Sequence, residues 1–322
     1  MKTLGYIIRR LCKAAVLLLG VVSLNFLLIR LIPGDPATVI AGESGTSDPA
    51  FVESIRRIYG LDQPLLVQLK TYITNTVSLD LGYSYRLQSE VLDLILSRLP
   101  ATVALTGSAF VLSLIVGVGL GVIAGTRPDT ALDRTIRILT LGLYSVPVFW
   151  IGLMMILTFS LQLGWLPASG TGFEYGQAPG VAKFLSHLVL PAVTLSLFYI
   201  AVYVRLARTS IIEVTQLDFV RTARSKGLTK GQITRRHVLP NSLLPILTMA
   251  SLQAGNLVSG SIAVETIFAW PGIGRLGYEA LTQRDYNMLL GVFLASAAMV
   301  LIFNLIADVL YAVVDPRIEL AK

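Results

Sequence analysis

Long apolar runs separated by shorter polar stretches dominate this chain. A bilayer core of about 30 Å requires about 20 apolar residues in a helix, and six segments reach that length. They cover residues 14–32, 101–126, 136–163, 187–206, 242–268 and 288–314. Several of these runs contain small residues, such as Gly117, Gly119, Gly121 and Gly125, which allow helices to approach closely in lipid. The pattern predicts an all-α polytopic membrane protein with six transmembrane helices.

The composition supports lipid as the solvent for much of the chain. Of 322 residues, 54% are hydrophobic and 14% are charged, and the mean hydropathy is +0.72. A soluble chain carries about a quarter charged residues. The net charge of +7 would suggest nucleic acid as the partner of a soluble domain, but here no nucleic acid is expected. The single cysteine, Cys12, excludes an internal disulfide and any multi-cysteine metal site.

The distribution of Lys and Arg predicts the orientation. Seventeen of the 26 lie on one side, in the amino terminus, residues 127–137, residues 205–236 and the tail. Five of the other nine lie in the long segment 33–100, where the positive-inside rule is weak. Both termini are therefore predicted to be cytoplasmic. The first run resembles a secretory signal because Arg9 and Arg10 precede it, but it is too long and lacks a cleavage site, so we interpret it as an uncleaved span.

These spans divide the chain into four segments. Residues 1–32 form the cytoplasmic amino terminus and first span, residues 33–100 an extracytoplasmic helical segment, residues 101–314 the five-span core, and residues 315–322 the cytoplasmic tail. No internal repeat of the kind seen in secondary transporters is visible.

The extracytoplasmic segment carries signals of folded helices. Asp48 before Pro49 predicts a helix start, and Gly60 predicts its end. The apolar residues of that helix recur on one face, namely Phe51, Ile55 and Ile58. A second amphipathic helix leading into the second span is predicted from Leu92, Ile95, Leu96 and Leu99.

The segment 207–241, which we call the basic loop, has the signals of two short capped helices. Asp218 is predicted to cap the first helix, and Gly227 to end it in a left-handed conformation. Thr229 and Gln232 have capping-box spacing for the second. Small residues at 223 and 227 would let such a surface enter a groove on another protein. An ordinary basic loop that only enforces topology is an equally good interpretation of these residues.

Two stretches of the basic loop resemble a known family. Phe219-Val-Arg-Thr-Ala-Arg-Ser-Lys-Gly-Leu228 and Arg236-His-Val-Leu-Pro-Asn241 are similar to the EAA loop of bacterial ABC importer permeases, closest to the dipeptide, oligopeptide and nickel branch. Further matching stretches are Ile32-Pro-Gly-Asp-Pro36, Tyr59-Gly-Leu-Asp-Gln-Pro64, Arg98-Leu-Pro-Ala-Thr102, Phe268-Ala-Trp-Pro-Gly-Ile-Gly-Arg-Leu276 and Asp315-Pro-Arg-Ile318. The resemblance therefore covers nearly the whole chain.

The resemblance implies one subunit of a heteromeric importer in the bacterial inner membrane. Its expected partners are a second permease, two cytoplasmic ATPases that bind ATP and Mg²⁺, and an extracytoplasmic substrate-binding protein. The expected mechanism is alternating access, and the expected substrates are di- or oligopeptides. Nickel chelates, glutathione, opines and oligosaccharides are the alternatives within the branch.

The family's motif is carried over residue by residue. Ala223 and Gly227 match the second alanine and the glycine of the EAA pattern, whereas its leading Glu-Ala is Arg221-Thr222 here. This departure puts in doubt any contact that needs the glutamate. The residues expected to couple the loop to the ATPases are Asp218, Arg221, Thr222, Ala223, Arg224, Lys226, Gly227 and Pro240.

Polar residues inside the predicted spans are candidates for the translocation path. Such groups are costly in lipid and usually face a cavity or a partner. The candidates are Gln253, Asn256, Glu265 and Asn304, with Asp308 as a further ionisable group. Hydrogen bonding between helices is an equally good explanation for each of them.

The sequence gives no support for catalysis by this chain. It has neither a Gly-x-x-x-x-Gly-Lys-Ser/Thr phosphate loop nor a Gly-x-Ser-x-Gly elbow. His187 and His237 are predicted on opposite sides of the membrane, so no metal site and no cofactor are expected. An intramembrane enzyme and a stand-alone secondary transporter or channel are the competing classes. Only an importer subunit requires a separate ATPase.

Overall fold

Helices form most of the protein, as the apolar pattern predicts. The computed structural model describes the chain apart from residues 1, 32–35, 44–47, 59–61, 173–179 and 315–322. The helices are α1 (Lys2–Leu31), α2 (Pro36–Glu43), α3 (Pro49–Ile58), α4 (Leu65–Val77), α5 (Val91–Thr126), α6 (Ala131–Ser145), α7 (Val148–Met155), α8 (Val181–Thr215), α9 (Asp218–Ser225), α10 (Lys230–Ile233), α11 (Leu239–Ile267), α12 (Ile273–Gln283) and α13 (Tyr286–Val314). Two π-helical segments, Ile156–Gln162 and Thr234–Val238, follow α7 and α10. Strands β1 (Tyr83–Ser84) and β2 (Ser89–Glu90) form a small antiparallel hairpin that the sequence analysis missed.

Three helices within the described residues are long and apolar enough to cross a bilayer. They are α5, α8 and the part of α13 from Tyr286 to Ile306. The apolar part of α1 is shorter, Cys12–Leu28, and α11 has the length of a span but carries more polar residues. The chain is thus an all-α polytopic membrane protein, and the number of six spans stays a prediction.

The third predicted span, residues 136–163, is not one straight helix. The axes of α6 and of α7 with its π-helical continuation differ by 103°, and the two parts together are apolar enough for one span. The break lies at Val146 and Pro147, where Val146 is extended with φ −88° and ψ 132°. A residue before proline avoids the α-helical region because of steric clash with the proline ring, so the break was visible in the sequence.

By packing, the described chain divides into two units. The first comprises Met1–Ala101 and Gly272–Ile302, and the second Thr102–Pro271 with the residues after Ile302. In the first unit α1 packs on α4, and the Asn25 amide donates to the Leu290 carbonyl at 3.1 Å. The hairpin is joined to the start of α13 because Ser84 donates to the Asp285 carboxylate.

The predicted start of α3 is confirmed. The Asp48 carboxylate accepts the Ala50 backbone N–H at 3.0 Å, and Pro49 is the first helical residue. On the inner face of α3, Ile55 is buried against Ala37 and Ala41 of α2. Gly60, the predicted end of this helix, lies outside the described residues.

The predicted amphipathic face of residues 92–99 is partly wrong. Val91 and Ile95 are buried, whereas Leu96 is 53% exposed. A Cβ placed on Gly291 of α13 would lie 2.4 Å from Val91 and 3.2 Å from Ile95. This close approach, rather than the number of leucines, determines the buried face. The predicted amphipathic helix is the first part of α5, which runs without a break from Val91 to Thr126.

Close helix packing through glycine is confirmed in the second unit. A Cβ on Gly121 would lie 2.5 Å from the Cβ of Ala207, and Gly117 and Gly125 approach α8 equally closely. Gly119 has no neighbour of this kind. The four-residue spacing of three glycines therefore lets α5 lie directly against α8.

Candidate functional site: the basic loop and the polar positions of α11

The helix α9 is held on the rest of the second unit by a narrow apolar face. Val220 and Ala223 are its buried residues, at 0% and 4% exposure. They belong to a core cluster with residues of α8, α10 and the following π-helical segment, namely Ile211, Val214, Ile233 and Val238. The basic loop is therefore a packed structure attached to the end of α8.

The opposite side of α9 is charged and exposed. We call it the outer face of α9 and define it by Asp218, Phe219, Arg221, Thr222, Arg224 and Lys226. The Asp218 and Arg221 side chains are 95% and 73% exposed and form an ion pair at 3.4 Å. Phe219 adds an apolar group that is 41% exposed. Cations around an exposed aromatic ring form a surface suited to a protein partner.

Two predictions about α9 are wrong. Leu217, not Asp218, occupies the N-cap position, and Asp218 pairs with Arg221 instead of capping backbone amides. Ala223 does not form an outer surface with Gly227, because it is buried in the chain's own core. The three-residue spacing of Val220 and Ala223 places both on the side that faces α8, which was readable from the sequence.

The predicted end of α9 is confirmed. Gly227 has φ +81°, and its N–H donates to the Arg224 carbonyl at 3.0 Å. Most residues with a Cβ are strained at this φ, so the turn itself favours glycine. No atom lies within 4 Å of a Cβ built on Gly227, so the space beside it is open.

The second predicted helix begins as expected but does not end as a separate element. Thr229 and Gln232 form both hydrogen bonds of a capping box. α10 is only one turn long and continues through the π-helical segment Thr234–Val238 directly into α11. Pro240 lies in the first turn of α11, as predicted. The second helix of the basic loop therefore runs into α11 without a break in the helical backbone.

A buried ion pair between the start of the basic loop and α6 was missed by the sequence analysis. The Arg208 guanidinium in α8 donates to both Asp133 oxygens in α6, from Nε at 2.6 Å and from Nη2 at 2.8 Å. The Asp133 side chain is fully buried, and that of Arg208 is 18% exposed. Thr130 is the N-cap of α6, so Asp133 lies in the first turn of that helix. Nothing in the sequence indicates that its partner is 75 residues away.

Two of the polar candidates of α11 lie on one exposed side of that helix. The Asn256 amide donates to the Gln253 side chain at 2.8 Å, and Asn256 is exposed. Gly260, one turn further, is also exposed, and a Cβ there would lie 3.3 Å from the Tyr199 hydroxyl of α8. These residues form a short polar strip without a bulky side chain at its end.

Glu265 lies in a different environment. It is fully buried, and its Oε1 accepts hydrogen bonds from Thr102 of α5 at 2.9 Å and from Ser261 at 3.1 Å. Between the two interpretations of the sequence, hydrogen bonding between helices describes this residue. Asn304 is half-buried on α13, and the side chain of Asp308 lies outside the described residues. Within the described part of the chain, no three His, Cys, Asp or Glu residues are grouped as metal ligands.

The apolar helices and the packed cationic loop define a polytopic membrane protein with a structured loop outside its spans. Residues 117–320 match the family model of the binding-protein-dependent transport system inner membrane component, and residues 3–106 match the model of its N-terminal part. The chain belongs to this family, and it is a permease subunit.

Curated relatives match the chain over nearly its whole length. The di/tripeptide transport system permease protein DppB of Pseudomonas aeruginosa is 37% identical, with 98% of this chain and 99% of the relative covered. The dipeptide transport system permease protein DppB of Escherichia coli K12 is 36% identical, with 99% and 100% covered. A putative peptide transport system permease protein of Brucella abortus is 38% identical, with 97% and 98% covered.

A solved structure supports the fold. An inward facing MetNI methionine ABC transporter matches with a TM-score of 0.55 at 20% identity, covering 69% of this chain and 96% of that chain. At this identity the match concerns the fold alone.

Proposed function

We propose that this chain forms half of the translocation pathway of an ABC importer for di- or oligopeptides. The observation that carries the proposal is similarity over nearly the whole chain to relatives named as peptide permeases. The other half of the pathway is a second, similar permease, and an extracytoplasmic binding protein delivers the peptide. The chain itself has no catalytic role, and the partner ATPases bind ATP and Mg²⁺.

The outer face of α9 is the surface that contacts the ATPases. Its cations favour an acidic groove, and Phe219 supplies an apolar anchor at its edge. When ATP binding closes the ATPases, α9 moves with them, and the core beneath Val220 and Ala223 passes the displacement to α8. The bias between the inward and outward states comes from contacts that differ between them.

The topology that fits this role has six spans and both termini in the cytoplasm. The bent pair of α6 and α7 then serves as the third span, and α11 as the fifth. In this arrangement the outer face of α9 lies in the cytoplasm, on the side of the ATPases. The excess of Lys and Arg in the basic loop is the charge pattern of a cytoplasmic loop.

Within this subunit, the translocation path follows the polar strip of α11. Gln253 and Asn256 offer amide donors and acceptors that suit the backbone of a peptide, and Gly260 brings the Tyr199 hydroxyl of α8 close to the same strip. Asn304 of α13 is a further candidate for the path. Glu265 is assigned to holding α11 against α5 rather than to contact with substrate.

The first test is isolation of the tagged chain in mild detergent from its native host, with mass spectrometry of the subunits that accompany it. We expect a second permease and one or two phosphate-loop ATPases. The purified complex, reconstituted in vesicles with its binding protein, should accumulate labelled dipeptide only when ATP is present. A homogeneous assembly of this chain alone that transports without ATP would overturn the proposal.

The contact with the ATPases has its own test. Cys12 is the only cysteine, so C12S gives a background in which a new thiol is unique. In that background T222C, on the outer face, should be joined to a lysine of an ATPase subunit by a short cross-linker that carries a maleimide for the thiol and a succinimidyl ester for the amine. V220C is the matched control because Val220 is fully buried two residues away. Cross-linking of V220C but not T222C would contradict the assigned orientation of α9.

A further inference from the structure

The Asp133–Arg208 pair has a geometry that fixes position more strongly than packing does. Two parallel hydrogen bonds join the planar guanidinium to the carboxylate, at 2.6 and 2.8 Å. The same carboxylate accepts the Asp129 backbone N–H at 3.0 Å and lies 3.7 Å from Arg137. A bidentate pair of this kind allows one relative placement of its two helices, whereas apolar side chains can slide past each other.

Stability alone does not account for the pair. Removing two charges from water is costly, and a buried pair replaced by apolar residues of similar size is often equally stable or more so. The Asp133 side chain is fully buried and that of Arg208 is 18% exposed, so part of this cost is present here. The advantage of the pair over an apolar contact is therefore the defined geometry between α6 and α8.

The pair lies beside the core cluster that holds α9. Arg208 precedes Ile211 by three residues on the continuous helix α8, and Ile211 belongs to the core under Val220 and Ala223. A Cβ on Gly125 of α5 would lie 3.0 Å from the Arg208 carbonyl and 2.8 Å from Ile211. A displacement of α9 therefore reaches α8 within one helical turn of the ion pair.

From α6 the connection continues into the bent span. α6 leads through Val146 and Pro147 into α7, where Gly152 packs closely on Thr194 of α8 and Phe268 after α11.

α6 also packs on α8 through Ile136, which shares a core cluster with Ile200 and Val204, and the rings of Tyr144 and Phe198 stack at 5.0 Å. If the ion pair is lost, these apolar contacts still hold α6 on α8, but the two parallel hydrogen bonds that define their relative placement are gone.

We propose that Asp133 and Arg208 are positioning residues that make α6 follow α8 when the partner ATPases displace α9. This inference rests on the proposed function, and it adds two residues to the coupling machinery. Loss of the pair should separate ATP hydrolysis from transport, because the ATPases still close on α9 while part of the pathway does not follow.

The test removes the pair without leaving a buried charge. In the reconstituted complex, D133N alone should lower the Tm, because Arg208 then lacks its counter-ion. The double variant D133L/R208M, which also leaves the Asp129 N–H to solvent, should recover most of the Tm lost in D133N but transport about 3- to 10-fold less dipeptide per ATP hydrolysed. R208K, which keeps the charge but not the fork, should show a smaller loss of the same ratio.

The control is E53Q/R56Q, which removes an exposed ion pair of 3.0 Å on α3 and should leave both readouts unchanged. A double variant with normal Tm and normal transport per ATP would overturn the inference and make the pair purely structural. If D133L/R208M fails to fold, R208K decides. An unchanged amount of dipeptide transported per ATP hydrolysed in R208K would also overturn the inference. Failure of the proposed function is distinguishable, because the wild-type complex would then show no ATP-dependent uptake.

Discussion

The outer face of α9 and the carboxyl end of α11 both carry charged residues, yet the structure treats them in opposite ways. In α9 the charges point outward, with the Asp218 side chain 95% exposed, and only Val220 and Ala223 point inward. In α11 the single carboxylate, Glu265, is fully buried and accepts two hydroxyl hydrogen bonds. The difference teaches that charge identifies a functional candidate, whereas the apolar spacing around it decides whether it meets a partner or another helix.

The energetic consequences differ accordingly. Exposed ion pairs contribute little to stability, because water and salt screen them. A buried group that loses its hydrogen-bond partner costs about 1–3 kcal/mol. Substitutions in α9 should therefore affect assembly and transport, and substitutions at Glu265 should affect the fold of the chain itself.

The largest effect is expected for E265A. This change removes the acceptor of the Thr102 and Ser261 hydroxyls and leaves a cavity, so we expect a loss of about 2–4 kcal/mol. The measurement is the Tm and the yield of the detergent-solubilised complex. E265Q, which keeps the shape and one acceptor, should cost about 1 kcal/mol or less. Equal stability of E265A and wild type would break the comparison with α9.

The next effect concerns the outer face of α9. R221E/R224E should leave the free energy of unfolding of the isolated chain within about 0.5 kcal/mol of wild type, because both side chains are exposed. Binding of the ATPases should weaken at least about 10-fold, since like charges then face an acidic groove. The readout is co-purification of the ATPases together with peptide uptake.

A matched control for this charge reversal is available in the first unit. K70E/R86E changes the same number of exposed cations and should leave ATPase binding unchanged. Equal loss of binding in both variants would point to net charge rather than to the outer face of α9.

Local signals predicted the parts of the basic loop that depend on neighbouring residues. The left-handed Gly227 and the capping box of Thr229 and Gln232 were predicted because each motif is complete within a few residues. The wrong N-cap at Asp218 had a local explanation too, since an acidic residue suits both the cap and the first turn. The backbone places it one residue later, because Leu217 has the extended N-cap conformation and Asp218 is the first helical residue.

Partners that are distant in sequence were not predictable. The contact of Arg208 with Asp133 spans 75 residues, and that of Glu265 with Thr102 spans 163. Hydrophobic periodicity identifies the helices but not which polar residues meet when the helices pack. The bend at Pro147 is neither a predicted local feature nor a distant contact. Its local signal was present in the sequence, but the prediction of one straight span followed the long apolar run instead.

A smaller effect is expected at the end of α9. G227V introduces a β-branched residue at φ +81°, which costs on the order of 1–2 kcal/mol and shifts the turn that follows the outer face. We expect transport to fall several-fold while membrane insertion survives. G227N is the control, because asparagine tolerates the left-handed region, and it should retain most activity. Equal activity of both variants would mean that the turn geometry has no role in coupling.

The smallest effect on stability is expected for the polar strip of α11, where the comparison with Glu265 becomes sharpest within one helix. Asn256 is exposed, and its side chain bonds only to the neighbouring Gln253. N256A should therefore change the free energy of unfolding by no more than about 0.5 kcal/mol. If Asn256 lines the path, the apparent KM for dipeptide should rise about 2- to 12-fold at unchanged expression, because one substrate hydrogen bond is worth roughly 0.5–1.5 kcal/mol. I262A is the control and should transport like wild type, because Ile262 is 43% exposed but lies on a different face of α11 from Asn256. A strong loss of stability in N256A with an unchanged KM would place Asn256 with Glu265, as a residue that holds helices together.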